Sequence, residues 1–218
     1  MSGLAETISC SKKPSIFLDY SVIDHLFRIQ EGSYNGPHSS ALQSLRYLAE
    51  KRGIDVWISE ITPVEMLLGT EKIELDAKKK EYVAKKDKAK LSILKSMGVR
   101  TLGYPCSKFD DDYSRLDLSF RLAEEESGIA DEVEKQLLTI PGVSCGDARQ
   151  VVSCAFPFDS EKTEIHPRIE WFVAEDLRLI KAINGQIKSG KLGEIAHLKF
   201  GCTETFLNSY LAMQVGRG

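Results

Sequence analysis

The stretch Ser15-Ile-Phe-Leu-Asp19-Tyr-Ser21-Val-Ile-Asp24 constrains the chain most: an apolar run of strand length ends on an aspartate, and a helical pattern begins at once. Such a junction sets Asp19 at the carboxyl edge of a buried strand, where open α/β sheets place their ligands. Asp is also a favoured helix N-cap, and that role alone accounts for one isolated case. A chemical role requires further acids in matching contexts, and three follow downstream.

Short apolar runs alternate with helical periodicity along the rest of the chain. Val22 to Gln30 reads as a helix carrying Ile23, Leu26 and Phe27, and Gly32 to Pro37 as a turn-rich loop. Ser39 or Ser40 caps a helix through Lys51, and Ile54 to Ser59 is a second strand. Pro63 fits the first turn of a helix opening near Thr62, which brings Glu65 into its first turns. Glu71 to Met97 is a long helical pattern, Val99 to Gly103 a third strand, and 110–134 helical again with breaks expected at Gly128 and Pro141-Gly142. Gly146 to Phe156 is a helix, Glu170 to Ala174 a fourth strand, and Leu177 to Asn184 a helix stopped by Gly185. A strand at Ile195 to Phe200 and a helix from Thr203 to Leu211 close the chain. Strands separated by helices imply crossover connections and a three-layer α/β/α sandwich around a mainly parallel sheet. The expectation is one domain over 14–218, with a helical insertion at about 71–145 and a flexible 1–13.

Length and charge set limits. At 218 residues, 42% of them apolar, the chain can bury a proper core, and a net charge of −3 does not by itself nominate nucleic acid or membrane. Its 5 cysteines are dispersed without a Cys-x-x-Cys spacing, which points to reduced thiols in a cytoplasm, and 4 scattered histidines make no zinc pattern. No apolar run approaches the roughly 18 residues of a membrane span. The charge is segregated, however. Residues 72–100 carry ten Lys or Arg against four acids, whereas 110–134 carry ten acids against Arg115 and Arg121.

Asp19 and Asp176 each follow an apolar strand, and Glu65 and Asp147 each stand in the opening turns of a helix. In a sheet built by right-handed crossovers, strand carboxyl ends and the following helix amino ends share one rim. The four acids can therefore meet, although 46, 82 and 29 residues separate them in turn. Carboxylates packed together repel by on the order of a few kcal/mol per pair, and a hard divalent cation relieves that repulsion. An all-oxygen set suits Mg²⁺ or Mn²⁺, and such ions activate water and clamp a phosphodiester for in-line attack.

Phe17-Leu-Asp19-Tyr-Ser21-Val-Ile, Ile58-Ser-Glu-Ile-Thr-Pro-Val-Glu65-Met-Leu-Leu-Gly69, Asp147-Ala-Arg-Gln-Val-Val-Ser-Cys-Ala155 and Phe172-Val-Ala-Glu-Asp176 together resemble the four blocks of the PIN-domain nucleases. Phe200-Gly-Cys-Thr203-Glu-Thr-Phe206-Leu resembles that family's last strand and helix. The resemblance implies a parallel-sheet sandwich and a divalent-metal-dependent endoribonuclease whose metal-binding, catalytic acids are Asp19, Glu65, Asp147 and Asp176, with Ser21 in support. It also implies either the toxin of a toxin–antitoxin pair, with an antitoxin protein partner and a homodimer, or a nuclease that processes RNA. Two features depart from the family pattern: Ala174 stands where relatives carry Thr or Ser, and 71–145 is enlarged. Glu175 competes with Asp176, and Glu60 with Glu65, for the ligand positions.

Within the insertion, Lys78, Lys79, Lys80, Lys85 and Lys86 form either a solvated face or an arm that holds RNA phosphates beside the acidic cleft. Tyr104, Phe109, Tyr113 and Trp171 are candidates for base stacking, although core packing is the commoner use of such residues. His25 reads as structural, and Asp24 as an exposed helix acid. The alternative function is a PIN-fold scaffold that binds RNA or protein without turnover. Transfer through an aspartyl intermediate is disfavoured because Ser21 occupies the place of the second carboxylate which that chemistry needs.

Overall fold

The computed structural model describes residues 13–36, 38–60, 62, 77–103, 124–157 and 168–215. Glu65, Tyr104, Phe109, Tyr113 and most of the expected flexible 1–13 lie outside these residues. Five strands, β1 (Ser15–Leu18), β2 (Asp55–Ser59), β3 (Arg100–Leu102), β4 (Trp171–Val173) and β5 (Lys199–Gly201), form one sheet. Every pairing is parallel and the order is β3-β2-β1-β4-β5. In the register, Phe17 lies opposite Trp57 on one side and Phe172 on the other. The Phe17 and Phe172 rings stack at 5.3 Å.

The helices are α1 (Tyr20–Gln30), α2 (Ser39–Glu50), α3 (Ala77–Ser96), α4 (Glu124–Leu138), α5 (Cys145–Ala155), α6 (Leu177–Lys188) and α7 (Thr203–Val215). Because successive strand residues point to opposite faces, the sheet divides its apolar residues between two cores. Ile16, Leu18, Val56, Ile58 and Val173 meet Ile23 and Leu26 of α1, Leu42 and Leu45 of α2, Ile93 and Leu94 of α3, and Phe206 of α7. Phe17, Trp57, Phe172 and Phe200 meet Ala130, Val133 and Leu137 of α4, Val151 and Val152 of α5, and Leu179 and Ile183 of α6. The result is a three-layer α/β/α sandwich, with helices inside the 71–145 region contributing to both outer layers. Among the described residues no helix is long and apolar enough to cross a membrane.

Two glycines expected to stop helices do not. Gly128 lies inside α4 and Gly185 inside α6. A glycine within a helix costs only about 1 kcal/mol relative to alanine, and buried Ala130, Val133 and Leu137 in α4, or Leu179, Ile180 and Ile183 in α6, outweigh that. The α6 segment ends instead at Gly190, whose φ of +77° suits the left-handed cap position. The last strand is also shorter than its apolar pattern indicates. Gly193–Ile195 is a 3₁₀ turn that buries Ile195, and pairing begins only at Lys199, opposite Trp171, where β4 starts.

Candidate functional site

The strand order creates a switch point. From β1 the chain steps outward through β2 to β3, then returns to build β4 and β5 on the other side of β1. Crevices in parallel sheets open at the carboxyl ends of the two strands flanking such a reversal, here β1 and β4. Asp19 follows β1 directly, and its backbone N–H donates to Val173 O of β4 at 2.9 Å. Asp176 follows β4 and caps α6, while Asp147 stands in the first turn of α5.

Each acid also organises its own helix. Asp19 caps α1: its Oδ2 accepts the Ser21 N–H at 2.9 Å and the Ser21 hydroxyl. Asp147 Oδ2 accepts the Ser144 N–H at 2.8 Å and the Ser144 hydroxyl at 2.7 Å, and Ser144 Oγ accepts the Asp147 N–H in return, closing a capping box. Asp176 Oδ1 accepts N–H bonds from Arg178 at 2.8 Å and Leu179 at 3.2 Å. Capping thus explains why acids stand at these junctions. It engages one oxygen of each carboxylate. Oδ1 of Asp147 carries no hydrogen bond among the described residues, the Tyr20 N–H acts on the Asp19 carboxylate besides Ser21, and Oδ2 of Asp176 faces the highly exposed Arg178 guanidinium at 3.6 Å.

Asp19, Asp147 and Asp176 line one cleft of about 320 Å³, together with Tyr20, Ser21, Asp24, His25, Ser144, Gly146 and Gln150. Asp19 is only 4% exposed. Burial pushes its carboxyl from 3.8 up to about 6; the Ser21 hydrogen bonds oppose the rise and the negative charge of Asp147 adds to it. At Asp176 burial also acts upward, but the Leu179 and Arg178 N–H groups and the Arg178 charge outweigh it and hold the carboxyl below its ordinary value. Arg149, two residues from Asp147, pairs with Glu134 at 3.5 Å. Among the described residues, no three His, Cys, Asp or Glu side chains are gathered closely enough to hold a metal ion as they stand. A larger cavity of about 370 Å³ between α4 and α6 contains Lys191, Gln136 and Gln186 but no carboxylate.

No family model, curated protein or solved structure matches the chain.

Of the four acids expected to converge, three line the cleft and Glu65 lies outside the described residues. The Ser21 hydroxyl donates to Asp19 and accepts the Glu175 N–H at 2.9 Å, tying α1 to the end of β4. Glu175 itself turns to α7, where its Oε1 accepts the Thr203 N–H at 3.1 Å, so Asp176 is the acid of that pair at the cleft. Glu60 donates its N–H to Leu102 O at 2.8 Å beside β3 and is not among the cleft residues. Trp171 is 5% exposed and packs edge-on against Phe206, which makes it a core residue rather than a stacking platform.

Asp24 differs most from expectation. It is no exposed helix acid but part of the cleft wall, paired with Lys90 at 2.6 Å, Arg28 at 2.7 Å and Lys86 at 3.6 Å. Lys86 therefore faces α1, with its ammonium 5.4 Å above the Phe27 ring, while Lys85 is exposed. The side chains of Lys78, Lys79 and Lys80 lie outside the described set. His25 lines the cleft and stacks on Tyr34 at 4.7 Å. Gln150 was not singled out in the sequence. Its signal was a polar side chain three residues after Asp147, on the same helix face, just before the apolar pair Val151-Val152.

Proposed function

We propose that the chain is a divalent-metal-dependent endoribonuclease of the PIN type. One observation carries the reading: three acids from three distant segments line a single cleft at the sheet's switch point. An all-oxygen set of this kind fits Mg²⁺ or Mn²⁺, with Asp19, Asp147 and Asp176 as the residues that would hold the ion and Glu65 as the fourth. An ion bound there would supply an activated water and neutralise charge on the phosphodiester. The chain's own part is to fix the acids by their caps, to keep Asp19 anchored through Ser21, and to bring RNA to the cleft along the lysine-rich face of α3. Substrate is RNA, held through its phosphates.

Incubation of single-stranded RNA with the protein and Mn²⁺, beside EDTA and Asp19→Asn, tests this. Cleavage that requires Mn²⁺ and disappears in Asp19→Asn is the expected result; no cleavage under any condition overturns it. A second reading, a scaffold that binds RNA without turnover, draws on the double duty of the acids as helix caps and on the absence of an assembled three-residue metal group among the described residues. RNA retention without cleavage by both proteins favours that reading.

A further inference from the structure

Gln150 sits on α5, three residues after Asp147, with 3% of its surface exposed. Its Oε1 accepts the backbone N–H of Tyr20 at 3.1 Å, across 130 residues of sequence. That N–H is one of the first-turn donors of α1 which the helix cannot satisfy for itself. The bond also fixes the amide orientation: an N–H donor faces the oxygen, so Nε2 lies on the other arm. Nε2 has no acceptor among the described residues, and Gln150 is part of the cleft wall with Asp19, Asp147 and Asp176.

Several hydrogen-bond donors around this cleft are already committed. The hydroxyl protons of Ser21 and Ser144 are taken by Asp19 and Asp147. The Lys90 ammonium is committed to Asp24 and to the Tyr20 hydroxyl. A neutral –NH₂ held in a fixed direction suits a phosphate, whose non-bridging oxygens only accept. We infer that Gln150 contacts the substrate, its Nε2 donating a hydrogen bond to a non-bridging oxygen of the phosphodiester bound beside the three acids. This inference rests on the nuclease reading and adds a substrate-binding group to it. A second duty, capping Tyr20, keeps the amide aimed.

The two duties separate by mutation. Gln150→Glu retains an oxygen for the Tyr20 N–H but replaces the donor with an acceptor; Gln150→Met removes both. Each is assayed for kcat and KM on single-stranded RNA at saturating Mn²⁺, with Tm measured in parallel. The expected result is a kcat/KM at least about tenfold below wild type in both variants, with Tm lowered in both, by loss of the Tyr20 cap in Gln150→Met and by the added charge beside Asp19 in Gln150→Glu. If Gln150→Glu keeps kcat/KM within about twofold of wild type, Gln150 is a cap and the inference falls while the nuclease reading stands. Should Gln150→Glu fail to fold, Gln150→Met decides by the same criterion. A wild-type protein without Mn²⁺-dependent cleavage overturns the nuclease reading and this inference together.

Discussion

The ammonium of Lys90 on α3 lies 2.6 Å from the carboxylate of Asp24 on α1, with only 1% of the lysine side chain exposed. The same nitrogen lies 2.5 Å from the Tyr20 hydroxyl and 4.5 Å from the centre of the Tyr20 ring. Burial acts to lower its proton affinity, but the bonds to Asp24 and Tyr20 outweigh this and raise it. Asp24 responds in kind: burial acts upward, while the Lys90 bond and the charges of Lys90, Lys86 and Arg28 hold its carboxyl below the ordinary value. A helix whose lysines suggest a free surface is thus pinned to the cleft wall by one of them.

Removing that pin leaves a mostly buried carboxylate with two poorer partners. Lys90→Met keeps the apolar stem and is expected to lower unfolding stability by about 1–3 kcal/mol. The midpoint of a urea titration measures it, and an unshifted midpoint would mean that Arg28 and Lys86 suffice.

Asp19 leads to a pH dependence whose sign follows from its burial. An aspartate ionising at 3.8 when unfolded and at about 6 when folded binds its proton more tightly in the native state. The native state is therefore favoured by this group below about pH 4, and that contribution disappears as pH rises through about 6. The difference corresponds to about 3 kcal/mol. Asn also caps helices and carries no charge, so Asp19→Asn is expected to be more stable than wild type in EDTA at pH 7.5, with the gap closing near pH 4. Mn²⁺ is expected to raise the Tm of wild type alone. Matching pH profiles for the two proteins would show that the Asp19 carboxylate is not held in an unfavourable site.

The exposed lysines of α3 are separable from the buried one. Lys85→Glu is expected to weaken binding of single-stranded RNA and to flatten its salt dependence, each lost phosphate contact lowering the slope by roughly 0.7. Lys90→Met leaves that slope unchanged, because its ammonium already has protein partners. Equal slopes for wild type and Lys85→Glu would leave the outer face of α3 as ordinary solvated surface.

The first four strands and the layered class were legible because apolar runs such as Ile16 to Leu18 and Phe172 to Val173 have strand length and end at abrupt polar junctions. Helix ends were less so. Gly128 and Gly185 read locally as stops, but a glycine's intrinsic cost is small beside the burial of Val133 or Ile183, and only packing reveals which is larger. The roles of neighbouring acids were not legible either. Glu175 and Asp176 are adjacent, and their divergence, one toward Thr203 and the other toward the cleft, depends on where α7 starts in space.

Local chemistry alone determined that acids would stand where strands hand over to helices, since a short carboxylate satisfies amides that a helix's first turn leaves without partners. Tertiary structure decided which of those acids share a wall, that Gln150 reaches Tyr20, and that Lys90 is buried against Asp24. Those outcomes hinge on contacts between residues 66 and 130 positions apart. Periodicity over a few turns carries no information at that range; parallel strand order and helix packing do.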